Sequence, residues 1–186
     1  MKIILLRHGR VDINETHKVK AKDLHKWIDR YNSCGIKQSS FPASHTLQTV
    51  KNCNAIVCSD YQRSIQSSES LGLHITPLID PLFREVGLPY SNWNMPKLNP
   101  SVWAAIFRVL WFTGYNSNSE SYSKARERAI KAAYKLESMA DELDSVLLVG
   151  HGFMNNFIAK QLRSRNWSGP HNPGRKFWDF AVYEKN

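Results

Sequence analysis

The sequence predicts an α/β fold: a three-layer α/β/α sandwich around a mostly parallel sheet. Three observations predict it. Five short apolar runs, at residues 2–6, 55–58, 75–79, 146–149 and 180–183, read as buried strands. Helical periodicity fills several of the intervals between them. The chain has 186 residues, 42% of them apolar, which is enough for one domain over residues 1–186 with its own core.

The elements follow in order. The opening stretch "MKIILL" reads as a buried strand. Leu24, Trp27, Ile28 and Tyr31 then recur at helical steps, and that helix ends near Gly35. After the second run comes "CSDYQRSIQSSESLG". Ser59 reads as its N-cap, Gln62 completes a capping box and Gly72 is the stop. The segment "SVWAAIFRVLWFTG", residues 101–114, is nearly apolar all round. With 14 residues and Arg108 inside, it is too short to span a bilayer. It reads as a buried or cap helix. Otherwise it presents Trp103, Phe107, Trp111 and Phe112 to an apolar leaving group, a second subunit in a homodimer, or a membrane surface. The clearest helix is "SESYSKARERAIKAAYKLESMADEL", where Tyr122, Ala125, Ala129, Ala132, Leu136, Ala140 and Leu143 form one stripe. A last helix follows "LVGHG" and carries Phe153, Phe157, Ile158 and Leu162. No repeat or low-complexity linker interrupts this order.

Net charge is +9, so the molecule attracts anions: phosphate esters, nucleic acid or an acidic membrane surface. The basic residues are scattered rather than run together. No basic-and-aromatic stripe of the kind that holds single strands is present, so nucleic acid is not an expected partner. Cys34, Cys53 and Cys58 are odd in number and lack compact spacing, which argues against a disulfide framework and against zinc. They read as free thiols of a reducing, cytoplasmic setting, with Cys58 in the core. The N-terminal apolar stretch is too short for a signal peptide. His17, His25, His45, His74 and His171 show no ligand spacing and read as surface residues. "GPHNPGRK" reads as a connecting loop ahead of the alternative that its basic groups reach a substrate tail.

In parallel α/β sheets, ligands bind beyond the carboxyl ends of the strands. Arg7, His8 and Gly9 follow the first strand. Ser59 and Arg63 follow the second, and Gly150, His151 and Gly152 follow the fourth. If these strands are neighbours, two arginines and two histidines converge on one volume. Such a cluster needs an anion, and tetrahedral phosphate suits forked guanidinium donors. Helix N-termini after the second and fourth strands add N–H groups to it. A phosphoryl-transfer site also explains a central histidine, because neutral imidazole is a competent nucleophile. Gly9 fits close backbone approach, or a positive φ, beside the reacting phosphorus. Glu85 in "LFREVGLP" is the candidate proton donor for the leaving oxygen, ahead of Glu69 and Asp80.

Together, "LRHG", "CSDYQRSIQSS", "FREVG" and "LVGHG", in that order, resemble the histidine phosphatase superfamily, the phosphoglycerate mutase-like branch 1. The resemblance implies that His8 becomes phosphorylated. It implies that Arg7, Arg63 and His151 complete the phosphate pocket, that Asn14 contacts phosphate, and that Glu85 donates the proton. It implies no metal or other cofactor, and a small phosphorylated substrate. It also places a substrate-facing cap near residues 87–118. Arg10 and Val11 depart from the usual residues after the first motif, as does "VGLPYSNWNMPKLNP" after Glu85. The expected activity is metal-independent phosphomonoester hydrolysis through a phosphohistidine. The rivals are a phosphoglycerate-type mutase, disfavoured by the short chain, and a non-catalytic anion or nucleic-acid binder. The reading requires residues 8, 63 and 151 to converge, and His8 not to be sealed behind packed side chains.

Overall fold

The structure, a computed structural model, describes residues 1–13 and 17–186. Five strands are β1 (Lys2–Arg7), β2 (Ala55–Cys58), β3 (Leu78–Ile79), β4 (Ser145–Gly150) and β5 (Phe180–Glu184). Six helices are α1 (Leu24–Ser33), α2 (Ser44–Val50), α3 (Gln62–Glu69), α4 (Pro100–Phe112), α5 (Tyr122–Leu143) and α6 (Gly152–Ser164). The strands form one sheet in the order β3-β2-β4-β1-β5. All neighbours are parallel except β5, which runs antiparallel to β1.

Alternate residues of each strand face opposite layers. Ile3, Leu5, Val57, Val146 and Leu148 pack under α5 and α6. Ile4, Leu6, Ile56, Leu147 and Val149 pack on the other face, where Val50 of α2 and Ile65 of α3 cover them. Double-sided burial explains why these strands are continuous apolar runs. Each buried Leu or Ile contributes about 1.5–3 kcal/mol. A third cluster lies off the sheet, where Leu24 of α1 meets Trp103 and Phe107 of α4. The Trp111 indole joins the main core and donates to the Glu120 carbonyl at 2.8 Å. Among the described residues, no helix is long and apolar enough to cross a membrane.

Some local expectations are corrected. The third strand is Leu78–Ile79, not residues 75–79. Pro77 has no N–H for a ladder, and the two paired residues sit half-exposed at the sheet edge. Helix α3 starts at Gln62 with Tyr61 in the cap position, so Ser59 is not its N-cap. It ends at Glu69, and Gly72 (φ +64°) belongs to the turn beyond. Helix α2 had no readable stripe, because only Thr46 and Val50 of its seven residues are buried. The segment at 101–114 is helical as far as Phe112, and its Trp103, Phe107 and Trp111 face inward, so those three rings are core.

Candidate active site

The pairing order makes β2, β4 and β1 neighbours, and their ends are level: Val149 pairs with Cys58 on one side and with Leu6 on the other. The residues that follow these strands therefore meet at one edge. The His8 amide donates to the Gly150 carbonyl at 3.0 Å. The His8 and His151 rings lie 5.0 Å apart, edge to face. Asn155 locks this corner. Its Oδ1 accepts from the His151 amide at 3.2 Å, and its Nδ2 donates to the Leu6 carbonyl at 3.1 Å. A Cβ on Gly150 would lie 2.3 Å from that Oδ1, so the lock needs glycine there.

The tautomer of His8 follows from its partner. Its Nδ1 is 2.7 Å from the Gly9 carbonyl, which can only accept. The proton therefore sits on Nδ1, and Nε2 carries the lone pair. Burial first, then the charge of Arg63 and to a smaller degree that of Arg7, push the His8 pKa down to about 3, against the Gly9 bond. The imidazole is thus neutral at pH 7. Burial, then His8 and the nearby arginines, also push His151 well below its ordinary value. His151 Nε2 is 2.7 Å from Ser59 Oγ, which accepts from the Tyr61 amide at 3.4 Å. A hydroxyl both donates and accepts, so this bond is compatible with a His151 proton on Nδ1.

Arg63 is 1% exposed. Tyr61 and Tyr31 hold its guanidinium from two rings, at 4.4 and 4.8 Å from their centroids. It donates to the Tyr31 carbonyl at 3.0 Å. Arg7 lies 4.7 Å from the centre of the Phe177 ring and donates to the Arg175 carbonyl. Arg7 Nε, Arg63 Nε and His151 Nδ1 are buried and have no hydrogen-bond partner in the structure. Unpaired buried donors are rare in folded proteins. Two such guanidinium donors, with the unpartnered His151 Nδ1 beside them, mark a place suited to an acceptor.

Glu85 borders the same volume. Its Oε1 accepts from the Val86 and Met154 amides, each at 2.9 Å, and its Oε2 from the Phe153 amide at 3.1 Å. The first N–H groups of α6 therefore hold this carboxylate, and are not the anion-site donors expected from sequence. Gly9 is also placed differently. Its φ is not positive, and its amide donates to Ser67 Oγ at 2.8 Å. A Cβ there would lie 2.5 Å from the Trp178 ring, so the close approach Gly9 permits is to an indole. Asn14 lies outside the described residues.

Sequence reasoning missed the loop before β5. Phe177 stands 5.7 Å from the His8 ring, and His8 is only 2% exposed. A cavity of about 950 Å³ opens beside the cluster and is lined by Arg7, Arg63 and Glu85, but by neither imidazole. The convergence the sequence reading required is present. The open approach to His8 is not, because Phe177 and Arg175 lie over that corner. "GPHNPGRK" gave no sign of this, since its contacts are with Arg7, 168 residues earlier. Ser67 and Asn155 were missed, as was the His151 partner of Ser59, because the Gly9, Leu6 and His151 groups they bind are distant in sequence.

Solved structures share this architecture, and some of them carry phosphatase names. A mycobacterial glucosyl-3-phosphoglycerate phosphatase complexed with VO3 aligns over 97% of this chain and 90% of its own, with a TM-score of 0.66 and 17% identity. Mycobacterial hydrolase 1 aligns over 99% and 97%, at 0.63 and 18%. Phosphoserine phosphatase from Entamoeba histolytica, in complex with 3-phosphoglyceric acid, aligns over 88% and 80%, at 0.59 and 14%. At these identities the likeness speaks for the fold alone. No curated protein sequence matches the chain. The family model described as histidine phosphatase superfamily, branch 1, matches residues 3–174, which takes in the ends of β1, β2 and β4 and everything between them. With nearly the whole chain inside that match, this protein belongs to the histidine phosphatase superfamily, branch 1.

Proposed function

We propose that residues 1–186 act as one metal-independent phosphomonoester hydrolase with a phosphohistidine intermediate. The observation that carries this reading is the trio of unpartnered buried nitrogens, Arg7 Nε, Arg63 Nε and His151 Nδ1, around a neutral imidazole. A phosphoryl group supplies the acceptors they lack.

In the first step, with Phe177 displaced from the His8 ring, His8 Nε2 attacks phosphorus. The P–N bond forms as the bond to the leaving oxygen breaks, and Glu85 gives that oxygen a proton. Arg7, Arg63 and His151 hold the equatorial oxygens, where transition-state charge accumulates. In the second step Glu85 takes a proton from water, which attacks phosphorus and releases phosphate and neutral imidazole. The backbone bonds to Glu85 fix its direction for both transfers. Splitting one displacement into two lowers each barrier. Asn14 is proposed as a further phosphate contact on the family pattern alone. The substrate is a small phosphate ester.

The test is acid-quench trapping of phosphoenzyme from a labelled ester. Wild type is expected to give an acid-labile adduct that His8→Ala does not form. Hydrolysis by His8→Ala at the wild-type rate would overturn the assignment.

A further inference from the structure

The cavity beside the cluster indicates what kind of alcohol leaves. This inference rests on the phosphatase reading above and adds a substrate class to it. In-line attack puts the leaving oxygen opposite His8, on the side of its proton donor. Glu85 lines the cavity, so the rest of the substrate extends into that space.

Helix α4 forms the wall facing it. Ala104, Ala105, Arg108, Val109 and Phe112 recur at three- and four-residue steps along one face and line the cavity. Val109 is 65% and Phe112 55% exposed, so this apolar wall stands bare to solvent. The opposite face carries the buried Trp103, Phe107 and Trp111, which fixes the rotation of the helix.

Two of the three guanidiniums there are ion-paired, and the third is held by backbone carbonyls. Arg84 is held by both oxygens of Asp60. Arg128 pairs with Glu120 and donates to the Leu82 and Arg84 carbonyls at 2.9 and 2.7 Å. Arg108 donates to the Gly87 and Val86 carbonyls at 3.1 and 3.0 Å. Beyond Arg7 and Arg63, these three guanidiniums stand against three carboxylates at the cavity, the ion-paired Asp60 and Glu120 and the lining Asp29, with Glu85 left out as the proton donor. No net positive charge remains for a second anion. Beyond Arg7 and Arg63, the unpartnered polar atoms among the described residues of the cavity lining, Trp27 Nε1 and Ser119 Oγ, are neutral.

We infer that the enzyme selects phosphate esters of uncharged, largely apolar alcohols, with an aryl or alkyl body seated on the α4 wall, over esters that carry a second carboxylate or phosphate.

Binding of non-hydrolysable probes tests this without turnover. Benzylphosphonate, methylphosphonate and phosphonoacetate are titrated by calorimetry into wild type, Val109→Asp and Asp60→Ala. Benzylphosphonate is expected to bind on the order of tenfold more tightly than methylphosphonate, because its ring covers the wall. Phosphonoacetate is expected to bind no better than methylphosphonate. Val109→Asp, at an exposed position, should collapse the benzyl-to-methyl ratio. Asp60→Ala, which frees Arg84, should raise phosphonoacetate affinity several-fold. Equal binding of benzyl- and methylphosphonate, or preference for phosphonoacetate, overturns the inference and leaves the phosphatase reading standing. Failure of all three to bind overturns both. A wild-type dimer that Val109→Asp splits, with the probe ratio intact, assigns the wall to a second copy and overturns the inference.

Discussion

Five arginines border one cavity, and they divide into two regions that use the same side chain differently. At the strand ends, Arg7 and Arg63 each keep a buried Nε without a partner. Along the cap, Arg84, Arg108 and Arg128 spend their donors on carboxylates and carbonyls of the protein. The first region is arranged by the sheet, whose register sets the spacing of whatever follows each strand. The second is arranged by side chains packed between α4, α5 and the loop after β3. The difference shows that an arginine near a pocket is a recognition group only where the fold leaves it something to recognise.

His8→Ala would test the strand-end region most severely. It is expected to reduce ester hydrolysis about a thousandfold or more while leaving cooperative unfolding in place. A loss of fold instead would make the imidazole a packing group. Trp111→Ala probes the base of the cap wall. Removing a fully buried indole is expected to cost about 3–5 kcal/mol in denaturant unfolding and to weaken all esters alike. If only large esters suffer, Trp111 belongs to recognition and the division fails. Arg63→Lys keeps the charge but loses the planar fork held by Tyr61 and Tyr31. A drop of about a hundredfold in kcat/KM is expected, and a near-normal value would mean that charge alone suffices.

The gentlest test is pH. The His8 pKa falls from 6.5 in the open chain to about 3 in the fold. The unfolded state therefore binds the extra proton between those values. Stability contributed by the neutral ring is complete above pH 6.5 and is lost as pH falls toward 3. The slope for one group is at most about 1.4 kcal/mol per pH unit. The stability advantage of wild type over His8→Asn is expected to shrink on acidification across that window. A flat difference would mean an ordinary histidine.

Much of the strand-end region was legible in the sequence. Residues that terminate a buried strand have nowhere to go but the sheet edge, so Arg7, His8 and His151 were placed by position alone, and Arg63 by one helical turn. Their proposed roles still rest on the argument from geometry. Glu85 was placed at the rim, but its clamp at the α6 N-terminus was not foreseen, because the partners Phe153 and Met154 stand 68 and 69 residues away. Ser59 looked like a cap, since Ser-x-x-Gln is a local signal. The long-range demand of His151 for a hydroxyl won. Helix α4 was ambiguous because an apolar segment does not reveal which of its faces is inside. Packing settled that by turning three aromatic rings toward the core.

The Arg175 carbonyl has a consequence for how tightly any ester is held. Arg7 already donates to it, and Phe177 already lies against His8. On the proposed reading, an incoming phosphoryl group would compete with the loop before β5 for the same guanidinium. Observed affinity would then be the intrinsic affinity scaled by the fraction of molecules in which that contact is open. Loosening residues 170–178 would strengthen apparent binding without adding a single contact to the ligand.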